Sequence, residues 1–194
     1  MAIARRNDTI ISYDLNYRES LWMATGGQTR AKAVNRDLLA NVDVLIGNEE
    51  DFTAGLGFKV EGLSSDLSNL CVHSYATMMK EIALEFPKLQ IIAATLREVK
   101  SASRNNWGAI CYCDGKVYQS LIREDLEIYD RIGGGDSFSS GFIFGLLSGH
   151  GAQWAVECGA AHGALAMTTP GDTSMVTLLE VEKLMKGLSP RVVR

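Results

Sequence analysis

The residues best equipped for chemistry stand together at Asp130-Arg-Ile-Gly133-Gly134-Gly135-Asp136-Ser137-Phe138. Three successive glycines between a strand and a helix can bring backbone N–H groups close to a bound group. The helix N-terminus behind them adds partial positive charge, so the turn suits a phosphate. Asp136 falls in the first turn of that helix. Its carboxylate can there accept a proton from a substrate hydroxyl attacking a phosphoryl group. Ser139, Ser140, Gly141 and Gly145 keep the helix small, as close packing behind a phosphate turn requires. The same stretch also describes a plain glycine turn followed by a helix-dipole carboxylate, and triple glycine by itself does not separate the two. A P-loop is excluded, because the single Gly-Lys pair, Gly115-Lys116, lacks both the upstream glycine and the trailing Ser/Thr. Neither Gly-x-Ser-x-Gly nor His-Glu-x-x-His occurs.

A second polar group is Asp14, Asn16 and Arg18, which alternate with Leu15 and Tyr17 at the end of an apolar strand and so project to one side of it. Three polar groups converging at a strand's carboxyl end suit a ligand, and the planar fork of Arg18 suits a carboxylate. An exposed polar strand end would read the same way. Asn48 is a fair N-cap for a short helix opening at Asn48-Glu-Glu-Asp51-Phe. Cys71, Cys111, Cys113 and Cys158 are too scattered for a disulfide framework and read as reduced structural thiols. The three histidines, His73, His150 and His162, show no metal-binding pairing and read as surface or core filler.

The elements that must position these groups alternate. Strands are expected at Thr9–Asp14, Val42–Ile46 and Leu89–Leu96, and helices over 28–40 and 75–86, the second closed by Pro87. A hairpin over 107–121 should turn at Asp114-Gly115. Helices then follow over 135–148, 152–167 and 177–186. Alternating strands and helices, with near-continuous apolar strands, imply one α/β domain over residues 1–194 around a mostly parallel sheet, whose ligands sit beyond the strands' carboxyl ends. The 194 residues are 46% hydrophobic and 22% charged with a net charge of −4, which excludes wholesale disorder and gives no basic excess for nucleic acid or a membrane surface. With no signal peptide and no apolar stretch of spanning length, a cytoplasmic location is expected.

The segment Asp-Arg-Ile-Gly-Gly-Gly-Asp-Ser-Phe, followed by Ser-Ser-Gly-Phe-Ile, resembles the C-terminal signature of the PfkB-type, ribokinase-like carbohydrate kinases. Within that family the chain looks most like the 2-keto-3-deoxygluconate kinases. The supporting segments, in order, are Asp14-Leu-Asn-Tyr-Arg18 with Leu21-Trp22, Asn48-Glu-Glu-Asp51, Ala94-Thr-Leu-Arg-Glu-Val99 with Ser101-Ala102, and Thr169-Pro-Gly-Asp172. The resemblance implies a three-layer α/β/α sandwich, ATP and Mg²⁺ as cofactors, and a small sugar acid as substrate. It also implies that this chain matches the C-terminal part of the family only. Roughly a hundred or more residues that supply the first strands and the β-lid are then missing. The lid is the usual dimer surface in the family, which keeps a homo-oligomer among the expectations.

By the same resemblance Asp136 is the catalytic base, and the amides of Gly133, Gly134 and Gly135 form the anion hole. Arg18, with Asn16 and Asp14, contacts the substrate. Asn48 and Asp51 match a motif that helps organise Mg²⁺ largely through water, with Asp51 where glutamate is usual. Thr95 and Arg97 would lie near the ATP phosphates or ribose, on a turn reading Arg97-Glu98-Val99-Lys100 where many members are glycine-rich. Ala160 would lie near the adenine, although the small run Gly159–Ala164 is explained as well by tight helix packing. Arg131 stands where many relatives have threonine, which leaves the monovalent-cation site of some members open here. The reading is an ATP-dependent kinase for a sugar acid such as 2-keto-3-deoxygluconate. The alternatives are a non-catalytic nucleotide-binding remnant and a kinase for a neutral sugar such as ribose or fructose.

Overall fold

In a computed structural model, residues 1–60 and 72–188 are described. Six strands form one sheet, β1 (Ser12–Asp14), β2 (Val44–Gly47), β3 (Ile91–Ser101), β4 (Arg104–Cys113), β5 (Lys116–Gln119) and β6 (Arg123–Glu127), in the order β1-β2-β3-β4-β5 with β6 on β4. The helices are α1 (Ala2–Arg6), α2 (Glu19–Met23), α3 (Gly27–Leu39), α4 (Val72–Glu85), α5 (Gly134–Leu147), α6 (Ala152–Ala166) and α7 (Leu178–Met185), with a π-helix at Asp51–Leu56. No helix among the described residues is long and apolar enough to cross a membrane. This is an α/β fold with helices flanking the sheet.

The sheet is mixed rather than mostly parallel. β1, β2 and β3 run parallel, with Ser12 opposite Val44 and Val44 opposite Ile91. β4 pairs β6 antiparallel. A two-residue link cannot make the crossover a parallel neighbour needs, and both β3–β4 and β4–β5 are joined by two residues. The expected hairpin turns where the sequence places it, with Asp114 at φ 50° and Gly115 at φ 75°, the left-handed pair that suits strand twist. β1 is shorter than Thr9–Asp14, because pairing starts only where the amides of Asp43 and Val44 reach the carbonyl of Ile11. β3 is longer than expected. Residues 97–100 continue the strand, since nothing between Ile91 and Ser101 is Gly or Pro, and Leu96 and Glu98 are buried while Arg97 and Val99 are exposed. β6 carries one apolar residue, Leu126, among four charges, and so gave no apolar periodicity to read.

The chain divides into two compact units. The first, with described residues 1–60, 72–94 and 111–117, is built on β1 and β2 with α1 to α4. β2 is buried along its whole length, as its Val-Leu-Ile run demands. α3 buries Ala31, Asn35 and Leu39. The Asn35 amide is satisfied on both sides, accepting from the Tyr13 hydroxyl at 2.7 Å and donating to the Gly55 carbonyl at 3.0 Å. α4 buries Tyr75, Met78, Met79 and Ile82 at helical spacing.

The second unit, with described residues 95–110 and 118–188, holds the glycine turn. Its framework is the close crossing of α5 and α6, made possible by glycines. A Cβ on Gly145 would come within 2.6 Å of the Ala155 Cα, and one on Gly159 within 2.8 Å of the Phe138 carbonyl oxygen. Cys158, Ala161 and Leu165 on α6 pack with Val181 of α7, whose start is closed by a capping box between Thr177 and Glu180. Arg123 and Glu157 form an ion pair with little solvent exposure, and Glu157 also accepts the Leu121 amide at 2.7 Å. Overpacking at such a crossing costs about 1–3 kcal/mol. Gly159→Ala is therefore expected to lower the unfolding free energy by an amount in that range, read from the midpoint of urea denaturation.

Candidate functional site

In the first unit, exposure alternates along the chain end of β1. Asp14, Asn16 and Arg18 are exposed, and Leu15 and Tyr17 are buried. The strand ends at Asp14, and Asn16 takes a left-handed φ of 42°, a conformation asparagine tolerates better than most residues. The Arg18 guanidinium donates to the Tyr17 carbonyl at 2.8 Å, and its remaining donors have no partner among the described residues.

Asp51 lies directly beneath this trio. One carboxylate oxygen accepts the Tyr17 amide at 2.6 Å and the other the Asn48 amide at 2.7 Å. The Asn48 side chain returns a bond by accepting the Asp51 amide at 3.1 Å, so the two residues cap one another. The room for this comes from Gly47, where a Cβ would meet the Asp51 Cβ at 3.0 Å and a Leu15 methyl at 3.3 Å. Burial pushes the Asp51 carboxyl above its ordinary pKa, partly offset by the two amides.

The Asp51 carboxylate is thus engaged by backbone amides, and direct coordination of Mg²⁺ by it would break one of these bonds, whereas the water-mediated role implied for Asn48 and Asp51 involves no such contact. Asp51 is 2% exposed with both oxygens committed to backbone amides. No group of three His, Cys, Asp or Glu among the described residues could hold a metal ion. The N-cap expectation for Asn48 holds; the reciprocal carboxylate went unread, although the spacing of a capping box was there to find.

In the second unit, the glycine turn is asymmetric. Gly133 and Gly134 are buried, and Gly135 and Asp136 are exposed. Gly133, at φ 78°, caps α5, and a Cβ there would lie 2.3 Å from the Asp172 carbonyl oxygen. A Cβ on Gly134 would meet the Met167 side chain at 2.9 Å. A Cβ on Gly135 would meet nothing within 4 Å beyond its own helix backbone and chain neighbours, and its φ is not left-handed. Two of the glycines are thus demanded by the fold, and the third is not. The first-turn amides of Gly134, Gly135 and Asp136 precede any helical partner and meet no acceptor among the described residues.

The approach to the turn is tied down. The amides of Tyr129 and Asp130 both donate to the Met167 carbonyl, at 2.8 and 3.2 Å. The Asp130 carboxylate accepts the amides of Ile132 at 3.0 Å and Gly171 at 3.2 Å, and these hold its pKa below the ordinary carboxylate value. Arg131 donates to the carbonyls of Ser101 and Ala102, at 3.0 and 2.8 Å. Sequence reading did not find the roles of Asp130 and Arg131.

Thr95 and Arg97 share one side of β3, half-buried and exposed respectively; Thr95 lies on the strand as expected, and Arg97 lies on its continuation instead of the expected turn. Ala160 is fully buried and its carbonyl accepts the Trp107 indole N–H at 2.9 Å. It offers no surface to an adenine, so the small run serves helix packing. His162 bridges two hydroxyls, Ser140 at 3.2 Å and Ser174 at 2.9 Å. The thiols of Cys111 and Cys158 are pushed by burial up to about 12 and about 11, as unreactive structural cysteines would be. Cys71 lies outside the described residues.

The chain is similar to known proteins in sequence and fold. The family model described as pfkB family carbohydrate kinase matches residues 1–178. The 2-dehydro-3-deoxygalactonokinase of Haloferax volcanii is 30% identical over 179 residues, covering 92% of this chain and 48% of that protein. The crystal structure of 2-dehydro-3-deoxygluconokinase from Thermotoga maritima is similar with a TM-score of 0.86 at 35% identity, covering 96% of this chain and 53% of that one. An E. coli protein assigned as ribokinase II, solved with ATP and Mg²⁺, has the same fold at a TM-score of 0.66 and 20% identity, covering 96% of this chain and 51% of its own. The chain spans about half the length of the curated relatives it matches.

Stranding a buried amide costs about 1–3 kcal/mol. Asp51→Ala strands the buried amide of Tyr17 and also releases that of Asn48, an exposed residue. It is expected to destabilise the protein by about that figure, and Asp51→Asn, which keeps one acceptor, by less; urea denaturation of both variants checks the order.

Proposed function

The chain belongs to the pfkB family of carbohydrate kinases, and from that premise we propose that it supplies the phosphoryl-transfer site of an ATP-dependent kinase acting on a hydroxyl of a sugar acid. The observation that carries this reading is Gly135. A glycine in the first turn of a helix costs about 1 kcal/mol relative to alanine. Nothing within the fold requires one at 135, where added atoms would meet open space. A requirement for bare backbone there is explained by a ligand that approaches the main chain closely. The adjacent amides of Gly134, Gly135 and Asp136, at the positive end of α5, identify that ligand by charge as an anion such as a phosphoryl group.

Asp136 completes the chemistry. Its side chain is exposed and has no partner among the described residues, so it is available to take the proton of an attacking hydroxyl. Asp130 cannot do this, because both its oxygens already hold amides. ATP delivers the phosphoryl group, and Mg²⁺ is taken to accompany its phosphates, with no step assigned to Asn48 or Asp51. Thr95 and Arg97 are proposed for the nucleotide side.

Arg18, with Asn16 and Asp14, is proposed for the sugar acid. Its guanidinium is only partly engaged, by its own neighbour's carbonyl, and a fork of this kind matches a carboxylate. The names of the relatives from Haloferax volcanii and Thermotoga maritima, a 2-dehydro-3-deoxygalactonokinase and a 2-dehydro-3-deoxygluconokinase, point to ketodeoxy sugar acids as the first substrates to try. A monovalent cation would need free carbonyl oxygens beside the glycine turn, and Arg131 already holds those of Ser101 and Ala102. Turnover should therefore be indifferent to exchange of potassium for sodium.

The test is ADP release with Mg²⁺-ATP over a panel of 2-keto-3-deoxygluconate, 2-keto-3-deoxygalactonate, ribose and fructose. Asp136→Asn is expected to lower kcat by about 10²–10⁴-fold, the usual contribution of a positioned base, while nucleotide binding is retained. Arg18→Lys should raise KM for the acids more than for the neutral sugars. Full turnover by Asp136→Asn would remove the base assignment. Turnover of neutral sugars alone would replace the acid reading, and nucleotide binding without turnover of any sugar would favour a non-catalytic role.

A further inference from the structure

Two aspartates stand six residues apart around the glycine turn, and the fold uses them in opposite ways. Asp136 is exposed and without a partner among the described residues, whereas Asp130 spends one oxygen on the Ile132 amide and the other on the Gly171 amide. The first bond is local and sets the direction in which the chain enters Gly133. The second reaches 41 residues along the chain to the stretch that lies on the turn, where the Asp172 carbonyl occupies the space a Gly133 side chain would need. Between Thr169 and Thr177 no backbone–backbone hydrogen bond secures that stretch among the described residues. Among the described residues, the hydrogen bonds that tie it to the rest of the unit are Asp130–Gly171 and His162–Ser174, and Val176 packs against the cluster of Cys158, Ala161 and Leu165.

We propose that Asp130 is a positioning residue for the anion site. Its carboxylate clasps the 170–172 segment against Gly133, so that the buried half of the turn is fixed and the amides of Gly134, Gly135 and Asp136 are held ready for a phosphoryl group. The proposal deepens the phosphotransfer reading and rests on it for its catalytic consequence. The approach to the turn is held separately, by Arg131 on the carbonyls of Ser101 and Ala102 and by the amides of Tyr129 and Asp130 on that of Met167. Pre-positioning of this kind matters because a displacement of about 1 Å at a reacting centre can cost about 10²-fold in rate.

Asp130→Asn is the discriminating variant. Its amide oxygen can still accept from Ile132, but its NH₂ group would face the Gly171 N–H, donor against donor, so the clasp opens while the local turn survives. With ¹⁵N-labelled protein, inorganic phosphate is expected to shift the amides of Gly134, Gly135 and Asp136 saturably in the wild type, and about tenfold more weakly in Asp130→Asn. Under the ADP-release assay kcat should fall by about 10²-fold, with KM for the sugar acid within about twofold. Thr177→Ala, which removes the α7 cap, should lower the melting temperature while leaving phosphate affinity and kcat unchanged, separating positioning from stability. Wild-type phosphate affinity and kcat in Asp130→Asn would overturn the proposal. Should that variant not fold, hydrogen exchange in the wild type decides: a protected Gly171 amide supports the clasp and a freely exchanging one overturns it. Absence of turnover in the wild type would count against the kinase reading alone, since the phosphate titration judges the clasp without it.

Discussion

The carbonyl oxygen of Asp172 lies 2.3 Å from where a Cβ at position 133 would begin. That single approach of one backbone to another determines most of what the second unit can do. It makes glycine obligatory at 133, where the chain takes a left-handed φ and turns into α5. At the helix start it leads into, three amides in succession lack partners among the described residues. The rest of the unit keeps the approach in place: α6 delivers Met167 against Gly134, and the glycines of the α5–α6 crossing let the two helices come close enough to do so. A site for a small, highly charged group needs fixed dipoles more than it needs many side chains. Here the fixing is done by packing and by backbone hydrogen bonds, and the open rim is left to Gly135 and Asp136.

The first unit solves a related problem by other means. Its exposed polar trio ends a strand, and strand ends fray unless their backbone groups are held. Asp51 holds the Tyr17 amide from below while capping the start of its own helical segment with Asn48. A buried carboxylate is costly unless nearly every lone pair is used. The π-helical segment that follows buries Phe52 and Leu56, so the cap is locked into the apolar core that surrounds it.

Much of this was legible in the residues themselves. Apolar runs gave β2 and the start of β3, helical spacing gave α4, and Asp-Gly gave the hairpin tip, because each depends on local stereochemistry and on which side of an element is apolar. The glycine run was legible as the turn into α5, with Asp136 in the first turn of that helix, for the same reason. What escaped was long-range. The strand character of Arg97–Lys100 comes from pairing in the sheet and not from those polar residues' own preferences. The burial of Ala160 depends on a tryptophan 53 residues away, and the employment of Asp51 and Asp130 depends on amides 34 and 41 residues distant. A carboxylate's sequence neighbours suggest that it can bind something, while its tertiary neighbours decide whether it is still available.

The Trp107 indole donates to the Ala160 carbonyl, and a Cβ on Gly163 would meet both the Trp107 ring, at 2.9 Å, and the Gly134 carbonyl oxygen, at 2.8 Å. A chromophore is thereby wedged beneath Gly134, in a buried setting where emission responds to small changes of polarity and contact. The indole is a built-in optical reporter of the packing under the glycine turn, with no added dye needed to read it.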